Sequence, residues 1–357
     1  MAAVTDTAPA IPASTASVRR LAAWLFVCAF MVFAMAVIGA ITRLTESGLS
    51  MVVWEPLIGA IPPLNQADWN QVFDLYKQTP EYVLENAGMS LAAFKGIYFW
   101  EWFHRLWGRL IGLVFALPLL WFWLRGDIGR ADRGGTLKWK LLGLLALGGL
   151  QGALGWYMVM SGLVDRPSVS QYRLAAHLSA AILIYLLLVW VGFGLLRPKG
   201  DGAIVSRSLR LHGWAALAMV GATAFWGALV AGLDAGMAYN TFPLMDGHVL
   251  PPEAWSLNPP SINFFENTAM VQFTHRWLAQ TTALFLLLLW VRGRIEGLSG
   301  RAATAAASVA AMVLLQVSLG VGTLLMRVPI PLAAAHQAGA LLLLTAVLWF
   351  LHETRRA

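Results

Sequence analysis

Eight apolar runs, each near the length that crosses a bilayer, constrain this 357-residue chain more than any other feature. The first spans Leu21 to about Thr42, and the others centre near residues 106–124, 140–161, 173–195, 210–232, 271–291, 303–326 and 332–351. A hydrocarbon core about 30 Å thick takes roughly 20 apolar residues as helix, because lipid offers no partner to a bare N–H or C=O. Composition agrees, with 59% hydrophobic and 12% charged residues against about 25% charged in soluble domains. The expected fold class is therefore all-α integral membrane, with eight transmembrane helices. Residues 1–18, rich in Ala, Thr, Ser and Pro, read as a flexible tail. The run behind Arg19 and Arg20 reads as a retained anchor, since a signal peptide has a shorter apolar core and a small-residue cleavage site. The single Cys28 excludes a disulfide framework or a cysteine metal site within one chain.

The net charge of +7 is sorted by loop. Sixteen of the 25 Lys and Arg fall in the N-terminal tail, the links at 125–140, 197–210 and 292–301, and the C-terminus; five fall in the alternate loops. The positive-inside rule then places both termini in the cytoplasm and the long loops at 43–97 and 233–269 outside. The basic balance is orientation, and no nucleic-acid partner follows from it.

The chain repeats itself. Glu101-Trp102-Phe103-His104-Arg105 opens the second span as Gln272-Phe273-Thr274-His275-Arg276 opens the sixth. Gln151 to Gly155 in the third span matches Gln316 to Gly320 in the seventh, and Ala175-Ala176-His177 in the fourth matches Ala334-Ala335-His336 in the eighth. Four spans separate the copies, so the halves run in the same direction. Two pseudo-repeated four-helix bundles are expected, one in residues 19–200 and one in 201–357.

His104, His177, His275 and His336 all sit near the outward ends of even-numbered spans. One histidine in a span is commonly a packing residue, but four at matching depth mark function, since ionisable groups in a bilayer are costly. Zinc or copper wants three or four protein ligands, often including sulfur or carboxylate. Two histidines per half suit a haem, whose macrocycle supplies the other four ligands. Arg105, Arg173 and Arg276, each within four residues of a candidate ligand, are candidate partners for haem propionates; snorkelling to headgroups is their alternative. Arg43 fits either role. His212, His248 and His352 lack this pattern and read as solvated or interfacial. The halves differ three residues before the first histidine: Glu101 stands in one and Gln272 in the other, each on its histidine's face. A carboxylate takes a proton or stabilises a developing cation, which an amide does not. The first half therefore reads as chemically active and the second as an electron carrier.

These residues resemble a known family. Glu101-x-x-His104-Arg105, Thr42 to Met51, Asn240 to Met245, Thr274-His275-Arg276 and Ala335-His336-Gln337 are similar to the haem A synthases over about residues 22–350. The resemblance implies two pseudo-repeated bundles, and oxidation of a ring methyl of haem O to a formyl group for cytochrome c oxidase. By resemblance His275 and His336 ligate a haem b, His104 and His177 frame the substrate haem O, and Glu101 is the essential carboxylate. Two successive hydroxylations and loss of water from the geminal diol are implied, with Glu101 stabilising a methyl cation or taking a proton from water. Contact with haem O synthase and with cytochrome c oxidase assembly follows by resemblance, and a homo-oligomer is compatible with it. Cysteine pairs found in the outer loops of some relatives are missing here.

The expected location is a bacterial inner membrane, multi-pass, with the haem sites toward the periplasm. Two alternatives stand beside the synthase reading: a di-haem b electron-transfer protein handling quinol, and a haem carrier or chaperone.

Overall fold

The computed structural model describes residues 15–53, 58–132, 134–162, 169–197 and 203–355. Residues 1–14 of the expected tail, and the boundary expected between 200 and 201, lie outside the described residues. Among the described residues the α-helices are α1 (Thr15–Leu44), α2 (Gln66–Tyr76), α3 (Pro80–Leu84), α4 (Leu91–Leu124), α5 (Asp127–Ala131), α6 (Leu137–Gly162), α7 (Gln171–Leu196), α8 (Arg207–Gly232), α9 (Asn263–Glu266), α10 (Thr268–Ile295), α11 (Gly300–Leu325) and α12 (Ile330–Glu353), and no strand occurs. Eight of these, α1, α4, α6, α7, α8, α10, α11 and α12, are long and apolar enough to cross a membrane. The all-α fold of eight spans is the fold found.

Two boundaries differ from the sequence reading. Helix α1 begins at Thr15, inside the expected tail, because Ser17 donates its hydroxyl to Asp127 of α5 at 3.2 Å and so ties the helix start to the first inner link. Arg130, bonded to Asp127 at 2.6 Å, holds that carboxyl below the usual range. The long outer loop at 43–97 is largely helical. Helix α4 starts at Leu91 and runs 34 residues, about 51 Å at 1.5 Å per residue, so its first turns stand clear of the hydrocarbon. Phe94 and Tyr98 on those turns pack with Met51 and with Phe73 and Tyr76 of α2 into an apolar cap over the outer end of the first half.

The spans form two rings. Helices α1, α4, α6 and α7 pack in sequence around one, and α8, α10, α11 and α12 around the other, with α1 on α12 and α7 on both α8 and α12 joining them. In α4, Pro118 lacks the N–H that would bond Val114. The freed Val114 carbonyl accepts from the Trp24 indole of α1 at 2.8 Å, which keeps the polar atom satisfied inside the bilayer. The main buried apolar clusters occupy the inner half of each ring: on α4 and α7 the first begins only at Phe115 and Ile184, and on α10 and α12 the second begins at Leu286 and Leu343. The histidines stand beyond these clusters, beside a smaller one of Ala175, Ala228, Leu229 and Val271.

Candidate functional site

All four repeated histidines lie on the expected spans, with His177, His275 and His336 six or seven residues past the starts of α7, α10 and α12. His104 lies thirteen past the start of α4 because that helix begins in the cap. Each ring rests on a glycine of the neighbouring helix: His104 on Gly39 of α1, His177 on Gly155 of α6, His275 on Gly227 of α8 and His336 on Gly320 of α11. A Cβ on those glycines would stand 3.1, 3.0, 3.0 and 2.8 Å from the histidine Cε1. His104 and His177 are near enough to interact electrostatically, as are His275 and His336. The structure thus brings the histidines together in one pair per half.

Hydrogen bonds orient three of the four rings, and the buried Nδ1 of His104 has no hydrogen-bond partner among the described residues. The Nδ1 of His275 lies 3.1 Å from the Thr223 carbonyl, which receives its proton and leaves the Nε2 lone pair available. Gln151 and Gln316 donate to the main-chain carbonyls of His177 and His336 at 3.0 and 2.9 Å, and their side-chain nitrogens stand 3.2 and 3.1 Å from the ring Nδ1 atoms. The repeated Gln and Gly of the third and seventh spans therefore hold and seat the histidines. Gly39 and Gly227 escaped the sequence reading, although a Gly-Ala pair at matching positions of α1 and α8 was the available signal.

Glu101 is 3% exposed. Its carboxylate accepts from the Ser50 hydroxyl at 2.8 Å and the Met51 amide at 2.6 Å, and forms an ion pair with Arg105, one turn along α4. Arg105 also donates to the Met51 carbonyl at 3.0 Å, so the outer segment after α1 is clamped onto α4. The second half repeats this clamp without the charge. Gln272 donates to the Tyr239 carbonyl at 3.2 Å, and Arg276 donates to the carbonyls of Tyr239, Thr241 and Leu244 at 2.6, 2.8 and 3.4 Å. The roles of Ser50 and Met51, and of Tyr239 to Leu244, were not legible from spacing, because the partners are 50 or more and over 30 residues away.

The remaining sequence candidates divide. Arg173 of α7 lies over the Tyr157 ring of α6, 4.9 Å from its centroid. Arg43 joins the two halves: it donates to both carboxylate oxygens of Asp234 and to the Ala231 carbonyl, each at 2.9 Å. His212 and His352 are buried, 8% and 3% exposed, rather than solvated. His212 contacts the Phe285 carbonyl and Arg292, and His352 contacts Arg355, because inner loops and helix ends fold over them. His248 stays exposed in its outer loop.

A family model described as cytochrome oxidase assembly protein, COX15-CtaA, matches residues 22–348. The chain belongs to this family. A protein named heme A synthase from Rhodospirillum centenum is 56% identical over 343 residues, 96% of this chain and 90% of that protein. Proteins of the same name from Nitrosospira multiformis and Paramagnetospirillum magneticum are 51% and 50% identical, each over 95% of this chain and 94% of its own length. Within the family scaffold, each half offers two facing imidazoles. No group of three or more His, Cys, Asp or Glu is placed to hold a bare metal ion among the described residues. Paired ligands with no third protein donor match an iron whose equatorial ligands come from a macrocycle.

Proposed function

We propose that the chain is a haem A synthase, a membrane oxidoreductase that converts a ring methyl of haem O to a formyl group for use in cytochrome oxidase assembly. The observation that carries this reading is the asymmetry between the pockets: a buried, hydrogen-bonded Glu101 beside His104, and Gln272 in the matching place beside His275. His104 and His177 frame the substrate haem O, and His275 and His336 ligate a resident haem b. The residues fit that group: glycine behind every imidazole, the Nδ1 of His275 tied to a carbonyl, and inner clusters that stop short of the ligand level.

When bound, haem b supplies one-electron transfer. The chain's own residues do the rest. Replacing methyl hydrogens by oxygen in two hydroxylations, followed by loss of water from the geminal diol, requires a group that receives protons and faces positive charge. Glu101 holds that position as a carboxylate, its two oxygens aligned by Ser50, Met51 and Arg105. Arg105, Arg173 and Arg276 are the cations near the paired histidines that would hold haem propionates. Arg105 and Arg276 come pre-oriented by their acceptors.

We place both termini in the cytoplasm, since an even number of spans returns the chain to one side and the basic residues gather there. The pockets then face the periplasmic side of a bacterial inner membrane, in contact with lipid, with haem O synthase as supplier and the oxidase assembly as recipient. Haem extraction and chromatography of the purified protein, coexpressed with a haem O supply, tests the reading. Haem A or a hydroxylated intermediate is expected in wild type and neither in Glu101→Ala. Haem b alone in wild type would overturn it.

A further inference from the structure

The outer cap contains a buried acid that the chemistry above does not use. Glu81, on the short helix α3, is 4% exposed. One carboxyl oxygen, Oε2, has no hydrogen-bond partner. The carboxyl is otherwise bonded to the Tyr76 hydroxyl, which itself accepts from Asn86 at 2.8 Å. Among the described residues, no cation is among the groups that act on the carboxyl. Arg105 is paired with Glu101, Lys77 is bonded to Asp74 at 2.9 Å, and Lys95 lies over the Trp69 ring at 5.0 Å. An unpaired buried carboxyl costs several kcal/mol when ionised, so a fold gains nothing from it as a structural element.

Its surroundings give it a direction. The charged groups near enough to act on it are Glu101 of α4, Glu85 at the end of α3 and Glu46 after α1, with Tyr76 of α2 as the remaining titratable neighbour. Glu101 is buried in the substrate pocket, whereas Glu46 and Glu85 are exposed on the outer surface. Met51, whose amide bonds Glu101, packs in the same buried cluster as Tyr76, which bonds Glu81, so the cap connects the two acids, with the exposed Glu46 and Glu85 also near Glu81. The cap that encloses it, Met51, Phe73, Tyr76, Phe94 and Tyr98, is otherwise apolar. Burial, with the neighbouring acids adding to it and the Tyr76 hydroxyl opposing, pushes the Glu81 carboxyl up to about 8. Both protonation states are thus populated near neutral pH, as an exchangeable proton carrier needs.

We propose that Glu81 is the relay residue through which protons pass between Glu101 and the outer aqueous face. The step is a simple transfer. A proton that Glu101 has taken from the reacting centre moves to the Glu81 carboxylate, directly or through a bridging water, leaving Glu101 ionised and Glu81 neutral. Glu81 then releases it to water beside Glu46 and Glu85. No electrons change hands, and charge is conserved at each stage.

This inference rests on the haem A synthase reading. The experiment compares the pH dependence of haem A formation in wild type, Glu81→Gln and Glu81→Asp, using full-length protein with a haem O supply. Haem content and melting temperature are measured on the same samples. Glu81→Gln keeps the shape of the neutral acid, and is expected to fold and bind haem normally while forming haem A about tenfold or more slowly, without the limb that titrates near pH 8. Glu81→Asp should recover part of the rate. An infrared carboxylic acid band that titrates near pH 8 and vanishes in Glu81→Gln is expected even without turnover. A Glu81→Gln enzyme with wild-type rate and pH profile, or no such band in wild type, would overturn the relay and leave the synthase reading standing. Wild type that makes no haem A would sink the synthase reading itself, and the relay with it.

Discussion

Replacing Glu101 separates what the carboxylate does for the fold from what it does for the reaction. In Glu101→Ala the Ser50 hydroxyl, the Met51 amide and the Arg105 guanidinium lose a shared acceptor. Side-chain exposure is 10% for Arg105 and 3% for Glu101, so the pair is shielded from water. Breaking such a pair from one side costs about 3–5 kcal/mol, a fall in melting temperature on the order of 5–10 °C. Glu101→Gln keeps an oxygen for Ser50 and Met51 but turns the oxygen facing Arg105 into an NH2 donor, so the charge and that one acceptor are lost. The second half shows how an amide is tolerated there: Arg276 beside Gln272 bonds three carbonyls, whereas the Met51 carbonyl stands beside Arg105. Glu101→Gln should therefore destabilise by less than Glu101→Ala. Both should lower haem A formation by about 10²- to 10⁴-fold, the usual contribution of a positioned acid or base. Differential scanning fluorimetry in detergent reads the first quantity, and chromatography of extracted haems reads the second. Activity that falls in proportion to melting temperature across the two variants, or a Glu101→Gln protein that makes haem A at close to the wild-type rate, would refute a chemical role for the carboxylate.

Three further outcomes follow from other contacts. Gly320→Ala places a Cβ 2.8 Å from His336 Cε1, so the imidazole must shift; a weakened low-spin haem b spectrum is expected, while Gly322→Ala, which meets nothing within 4 Å, should keep the full spectrum. Arg43→Ala removes a cross-half bridge whose partners are 26% and 59% exposed, so the expected loss is at most about 1 kcal/mol; a drop of more than a few degrees in melting temperature would mean the bridge does more than join two surfaces. Because Glu81 binds its proton more tightly folded than unfolded, its contribution is fully present below pH 4.5 and is lost as pH rises through about 8. Melting curves of Glu81→Gln against wild type should therefore diverge in favour of the variant as pH rises from 4.5 to about 8, and above that the gap stays constant, at most roughly 5 kcal/mol.

The spans and the histidines were legible because each has a local signature. An apolar run of bilayer length admits only a helix, and a histidine inside one is costly enough to announce itself. Helix α2 and the early start of α4 were missed because their apolar residues are interleaved with polar ones and raise no hydropathy peak. Trp69, Phe73 and Tyr76, and then Phe94, Tyr98 and Glu101, do recur at helical spacing, so periodicity within the loop would have found the cap. The partners of Glu101 and Arg276 could not be found this way. They are hydroxyls, amides and carbonyls of distant segments, and any residue type carries a backbone carbonyl.

The comparison of the halves goes further than either half alone. Both use the same frame: a histidine seated on a glycine, a second histidine held by a glutamine, and an arginine one turn after the first position that clamps an outer segment onto its helix. Within that frame, among the described residues, only the first half places a carboxylate against the clamp, and only its apolar cap has another buried acid beside it. Had Glu81 been an accident of surface composition, it would have been exposed or matched with a cation. Glu101 is paired with Arg105, whereas Glu81 is buried with one oxygen lacking a hydrogen-bond partner among the described residues. The second half has an amide at that position and ties its arginine to neutral carbonyls. A double exchange, Glu101→Gln with Gln272→Glu, should therefore not move the activity to the second half. The new acid there would face an arginine already occupied by carbonyls and would lack Ser50, Met51 and Glu81 around it. Haem A production by that double variant would show that the carboxylate alone, and not the cap built around it, decides where the reaction occurs.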